Sequence, residues 1–179
     1  MKQRRIQLAA VVAVIAIASV VATTAIAGGG KQIREHLTGF QEVPVVSTDA
    51  DGKFRAEVRR DRIDYQLRWE DLEGEVTQAH IHLGQRDVNG GITVWLCGNP
   101  TAGPPPITPP AGTQLCPLTD PARISGTITE DNVVGPTGQG ITAGEFDELL
   151  RAIRAGVTYA NVHSSTFGGG EIRAQLNDD

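Results

Sequence analysis

The chain has 179 residues with 21 acidic against 16 basic side chains, a formal net charge of −5, and an aromatic content of only 4%. That acidic balance argues against nucleic acid or an anionic membrane surface as the main partner. The length suits one good core and is short for two domains.

The N-terminus reads as an export address. Met1-Lys2-Gln3-Arg4-Arg5 carries three positive charges and no acid, and Leu8 to Ala22 is apolar or small with Ser19 the only polar residue. Ala25-Ile26-Ala27 then supplies a small-residue cleavage pattern before Gly28-Gly29-Gly30. This order is that of a secretory signal peptide, so residues 1–27 are expected to be removed and the remainder secreted or held at the cell surface. The alternative is an uncleaved N-terminal membrane anchor, although the apolar stretch falls short of the roughly 20 residues a spanning helix needs. Without residues 1–27 the chain is more acidic still, at about −8. Residues 28–36 are expected to be a flexible lead-in and residues 37–179 a single β domain.

Past that point apolar and polar residues alternate at period two. Leu37 to Val46 is expected as an edge strand that Pro44 interrupts. Phe54, Ala56 and Val58, then Ile63, Tyr65, Leu67 and Trp69, form the inner sides of a half-buried antiparallel hairpin. Val76–Leu83, Ile92–Cys97 and Arg123–Thr129 read as further strands. Thr158–Ser164 and Glu171–Leu176 read as a closing hairpin around Gly168-Gly169-Gly170. One helix interrupts them. Thr142-Ala143-Gly144-Glu145 has the spacing of a capping box, Phe146, Leu149, Leu150 and Ile153 share a face, and Gly156 provides the stop.

Cys97 and Cys116 are the only cysteines, and they flank a segment rich in Pro and Gly that cannot be helix or central strand. In an exported protein such a pair reads as a disulfide closing a loop, stabilising by about 3 kcal/mol on the chain-entropy model. Two free thiols or a metal pair are the alternatives. Short strands separated by turns, with a single short amphipathic helix, predict an all-β Greek-key sandwich or barrel, similar to immunoglobulin domains or Cu,Zn superoxide dismutase. There is no phosphate-binding glycine loop and no Gly-x-Ser-x-Gly elbow.

Three motifs are more specific. Leu37-Thr38-Gly39-Phe40-Gln41-Glu42-Val43-Pro44 resembles the LxGxQEVP opening of the CHRD domain, a module first described in chordin and found in many bacterial exported proteins. Ala79-His80-Ile81-His82-Leu83-Gly84 resembles its AHIHxG motif. Tyr159-Ala160-Asn161-Val162-His163-Ser164-Ser165, followed by Gly169-Gly170-Glu171-Ile172-Arg173-Ala174-Gln175-Leu176, resembles its YxNVHT…GGEIRGQL close. Ser164 stands where Thr is usual, Ala174 where Gly is common, and Phe40 where a small residue is usual. The resemblance implies an exported β-sandwich-like domain. It implies no settled activity for a stand-alone member, and the ligand of chordin does not transfer with the fold.

His80 and His82 project from one strand face about 7 Å apart, opposite Ala79, Ile81 and Leu83. His163 shares a side with Tyr159 and Asn161. If these strands are neighbours, three neutral imidazoles converge, a donor set suited to Cu or Zn with a position open to water. The spacing is similar to the copper site of Cu,Zn superoxide dismutases, which uses four imidazoles, so that His36 would have to be recruited. The competing reading is a structural network, the rings tied to backbone carbonyls or to Glu42 or Glu171, with Asn161 beside them. Glu42 and Glu171 are otherwise expected to be solvated or paired with Arg173. Trp69 and Trp95 are expected in the core, with a carbohydrate-stacking platform as the alternative.

The leading functional expectation is therefore a non-enzymatic module. It would bind an unidentified extracellular protein or cell-surface ligand, without nucleic acid, and would touch membrane only through an uncleaved N-terminus. The second is a copper- or zinc-binding domain at His80, His82 and His163, redox-active if the ion is copper.

Overall fold

The structure is a computed structural model, and it describes residues 30–101, 106 and 108–177. The expected signal segment and residues 102–105 and 107 of the Pro-rich tract between the cysteines lie outside the described residues. Among the described residues no helix is long and apolar enough to cross a membrane.

The period-two segments become strands β1 (Lys31–Thr38), β2 (Asp51–Val58), β3 (Ile63–Glu70), β4 (Val76–Leu83), β5 (Gly91–Gly98) and β6 (Ala122–Ile128). Helix α1 (Phe146–Arg154) then precedes β7 (Thr158–Ser164) and β8 (Ile172–Leu176). All eight join one antiparallel sheet in the order β5-β4-β7-β8-β1-β2-β3-β6. The two ends of the sheet are bridged: the Tyr65 hydroxyl on β3 donates to the Leu96 carbonyl on β5 at 3.0 Å, and Gln114 Nε2 donates to the same carbonyl at 2.9 Å. The sheet thus curls into a nearly closed barrel, which removes most of the exposed strand edge. The all-β expectation holds in its barrel form.

Inward-facing Ile33, Leu37, Phe54, Leu67, Trp69, Ile81 and Leu96 fill the barrel. Each side chain buried in full contributes roughly 1.5–3 kcal/mol. Helix α1 adds Phe146, Leu149, Leu150 and Ile153 to the same core, as its spacing predicts. The expected capping box does not cap it: the Thr142 amide donates to the Glu145 carboxylate at 2.7 Å in the turn ahead of the helix, while Glu145 itself occupies the N-cap position without a side-chain cap bond. Gly156 ends the helix at φ +66°.

The first strand differs from expectation. Residues from Lys31 onward, expected as flexible, pair along their whole length with β2, from Lys31 opposite Val58 to Thr38 opposite Asp51. Thr38 also pairs with Arg173 of β8, so this strand lies inside the sheet rather than at its edge. Ile33 and Leu37 anchor it, both buried. The residues expected to continue it leave the sheet after Thr38 through a short 3-10 turn at Gly39–Gln41, where Phe40 is 72% exposed.

Cys97 and Cys116 form the expected disulfide across a sequence separation of 19. Asn99 reinforces the neck of the loop, donating to the carbonyls of Val76 at 3.2 Å and Cys116 at 3.1 Å. We expect the intact mass without reductant to be two hydrogens below the reduced mass, and reduction to lower stability by about 3 kcal/mol. Alkylation of both cysteines in unreduced, folded protein would contradict the bond.

Candidate metal centre

Strands β4, β7 and β8 lie side by side with His80 opposite Asn161, His82 opposite Tyr159 and Asn161 opposite Arg173. Ala79, Ile81, Ala160 and Val162 point into the hydrophobic core, so the polar residues between them point to the outer face of the barrel. Such a face is ordinarily solvated. Here His80, His82, Asn161, His163, Arg173 and Gln175 are all buried. The cover is made of loops. The Gly90 carbonyl accepts from His82 Nδ1 at 2.9 Å, and the Gly168 carbonyl accepts from His163 Nδ1 at 3.1 Å. The 84–90 loop is pinned again where Asn89 Nδ2 donates to the Val43 carbonyl at 2.8 Å. Pairing of β4 with β5 also slips between Ala79 and His80 and between Ile81 and His82. Such irregularities re-aim side chains beside functional sites.

The three imidazoles converge. One ligand-capable atom from each of His80, His82 and His163 lies within 4.8 Å of the others. His80 Nδ1 is 3.2 Å from His163 Nε2, close to the edge of a tetrahedron of nitrogens at the usual Zn–N length of about 2.0–2.1 Å. Because His82 and His163 each donate Nδ1–H to a carbonyl, each is assigned a bare Nε2 lone pair. His82 Nε2 and His80 Nε2 have no hydrogen-bond partner, and His163 Nε2 faces Asn161 Oδ1 at 3.1 Å. Burial lowers all three rings, His82 and His163 to about 4 and His80 well below its ordinary value, with neighbouring histidines adding to the effect on His80 and His163. At neutral pH they are uncharged donors.

The surroundings correct several expectations. Glu42 and Glu171 are neither solvated nor the acceptors that hold the rings; the carbonyls of Gly90 and Gly168 do that. Glu171 Oε1 instead accepts from the Thr48 hydroxyl at 2.9 Å and the Glu73 amide at 2.8 Å, tying the hairpin to two other loops. Burial raises Glu42 to about 7, against the pull of the Arg173 charge, the Val43 amide and the Asn161 side chain. Arg173 forms no direct ion pair with it. Its guanidinium lies 3.4 Å from the centroid of the Tyr159 ring, which stacks on His82 at 4.7 Å. His36 does not join the cluster: it is exposed on β1 against Asp51. Trp95, expected in the core, is instead half-buried and lies edge-on to His80 with centroids 4.2 Å apart. Period-two spacing is the one sequence signal that could have placed Tyr159 here; nothing in sequence marked Trp95.

Glu42 comes from the first sequence motif, His80 and His82 from the second, Asn161, His163 and Arg173 from the third, and all meet in this one buried layer. The family profile of the CHRD domain matches residues 33–176. The chain belongs to the CHRD domain family. No curated protein and no solved structure matches it. The CHRD motifs thus mark the loops and strands that build a polar layer outside the barrel core.

Proposed function

We propose that this CHRD domain is an exported, non-enzymatic module that binds one copper or zinc ion through His80, His82 and His163. The observation that carries the reading is the pair of buried ring nitrogens, His80 Nε2 and His82 Nε2, left without a hydrogen-bond partner in a cluster whose third ring places its Nε2 3.2 Å from His80 Nδ1. A purely structural network would satisfy such atoms, because an unpaired buried polar group costs about 1–3 kcal/mol. A cation that accepts lone pairs resolves the arrangement, and imidazole donors without a carboxylate or thiolate suit Cu or Zn. Fixed Nδ1–H to carbonyl bonds hold the rings in the tautomer that metal binding requires.

Purified protein from cells grown with both metals should contain stoichiometric Cu or Zn by elemental analysis. Chelation should lower its melting temperature and re-addition restore it. His80→Ala and His163→Ala should abolish uptake while circular dichroism keeps the β signature. Metal-free protein whose stability ignores added Cu and Zn would sink the proposal.

A further inference from the structure

A second feature lies on the opposite stretch of the barrel wall and owes nothing to the histidine cluster. The outer face of β1, β2, β3 and β6 carries two adjacent rows that hold five Arg and Lys side chains, with His36, in contact with Asp51, at one end. His36, Lys53, Arg68 and Arg123 stand directly opposite one another across four strands, and Arg34 stands opposite Arg55 in the next row. Like charges in direct cross-strand register are destabilising. Arg68 approaches Glu70 at 3.8 Å, and among the described residues Arg34, Lys53, Arg55 and Arg123 form no ion pair. A hollow of about 350 Å³ opens over Lys53, Arg55, Gln66, Arg68 and Arg123. In a chain of net charge −5, so concentrated a cationic strip stands out from the rest of the molecule.

We propose that this strip binds a single linear anionic polysaccharide running across the strands. The rows on either side are not cationic: Glu57 and Asp64 are held by Arg59 at 2.9 and 3.2 Å, and Asp51 and Glu70 border the other end. The strip is therefore only two residues wide, about 7 Å along the strands, and four strands long, about 14 Å. Those proportions fit one extended chain and exclude the broad contact that a bilayer or a duplex makes. Apart from the His36 imidazole, which lies against Asp51, no aromatic ring stands among the outward residues of these strands for base stacking, and no apolar side chain for insertion into lipid. Lys53, Arg68 and Arg123 put one cation on each of three successive strands, repeating about every 4.8 Å, which matches an anionic group on each successive sugar ring. At physiological salt the screening length of about 8 Å lets the cations act together on such a polymer and only weakly on a free ion.

The test is calorimetric titration of the full domain with dextran sulfate and with polygalacturonate at low and physiological salt. Binding should weaken steeply with salt. The triple variant Lys53→Gln, Arg68→Gln, Arg123→Gln should bind more than about tenfold more weakly, with a melting temperature equal to or above that of the parent because repulsion is relieved. The helix variant Arg151→Gln, Arg154→Gln should bind within about twofold of the parent. Should the triple variant fold poorly, Arg123→Gln alone should still weaken binding about threefold. Unchanged affinity in the strip variants, no binding of either polymer at low salt, or equal affinity for single-stranded DNA of the same charge would overturn the proposal.

Discussion

Between pH 6.5 and pH 4 the metal-free protein is expected to lose several kcal/mol of stability, enough to unfold it. His82 and His163 fall from 6.5 to about 4 on folding because burial disfavours the charged ring. In that window the unfolded chain binds these protons and the folded chain does not, so stability decreases as pH falls. Each of these two rings contributes about 3 kcal/mol over its shift, and His80, also lowered by burial, adds to them. Glu42 acts in the opposite sense. Its carboxyl is raised from 4.5 to about 7, so the folded state holds a proton that the unfolded state has released, and stability gains as pH falls from 7 to 4.5. That offsets about one of the three histidines, and the remaining loss is a large share of the 5–15 kcal/mol typical of a domain. Stability should rise from pH 4 and level off above about pH 7, where the histidine contribution is nearly complete and the Glu42 gain is fading. Urea midpoints measured from pH 8 to pH 4 check this. A midpoint that stays level below pH 6.5 would contradict neutral, buried imidazoles. With metal bound the loss should steepen, since protons and metal compete for the same lone pairs.

Sequence carried the strands and little of their burial. Phe54, Ala56 and Val58 against Lys53, Arg55 and Glu57 make a half-buried strand by alternation alone, and the structure returns that strand with the cationic side outward. The same rule makes His80, His82, Tyr159 and His163 one face, which is correct, and makes that face solvated, which is not. Alternation is a property of one strand. The cover over the histidines comes from carbonyls at Gly90 and Gly168, and no periodicity records where a loop will fold back. The start of β1 was illegible for a related reason. Between Lys31 and His36 only Ile33 is strongly apolar, and what makes the segment a strand is its ladder with β2, which the alternation within Lys31–His36 does not record. The family motifs pointed to the right residues while leaving their roles open, because Glu42 and Arg173 meet only after the barrel closes.

Arg173→Met should be among the most destabilising single substitutions in the domain, at about 3–5 kcal/mol. The side chain is 1% exposed and donates to the carbonyls of Val88 at 3.0 Å and Gln85 at 3.2 Å, and to Asn89 Oδ1 at 3.4 Å. Methionine fills the volume but leaves those acceptors unpaired and removes the cation from the Tyr159 ring. It also takes away the charge that draws Glu42 down, so the Glu42 carboxyl should rise above 7 and stay protonated at neutral pH. Arg173→Lys should recover little, because one ammonium cannot bond two carbonyls while lying flat on a ring. In the double variant Glu42→Gln, Arg173→Met the cost should fall below the sum of the two single variants by about 1–3 kcal/mol. A purely additive result would mean that the two groups do not act on each other. The consequence reaches the histidines through the loop. The Gly90 amide donates to the Tyr159 hydroxyl at 3.2 Å while its carbonyl holds His82, so loosening residues 84–90 frees the ring on the donor side. Hydrogen exchange at Gly90 should therefore accelerate in Arg173→Met, and metal uptake should weaken with it even though Arg173 is not among the proposed ligands. Slow exchange at Gly90 with uptake intact would show that the loop is held by Asn89 and its bond to Val43 instead.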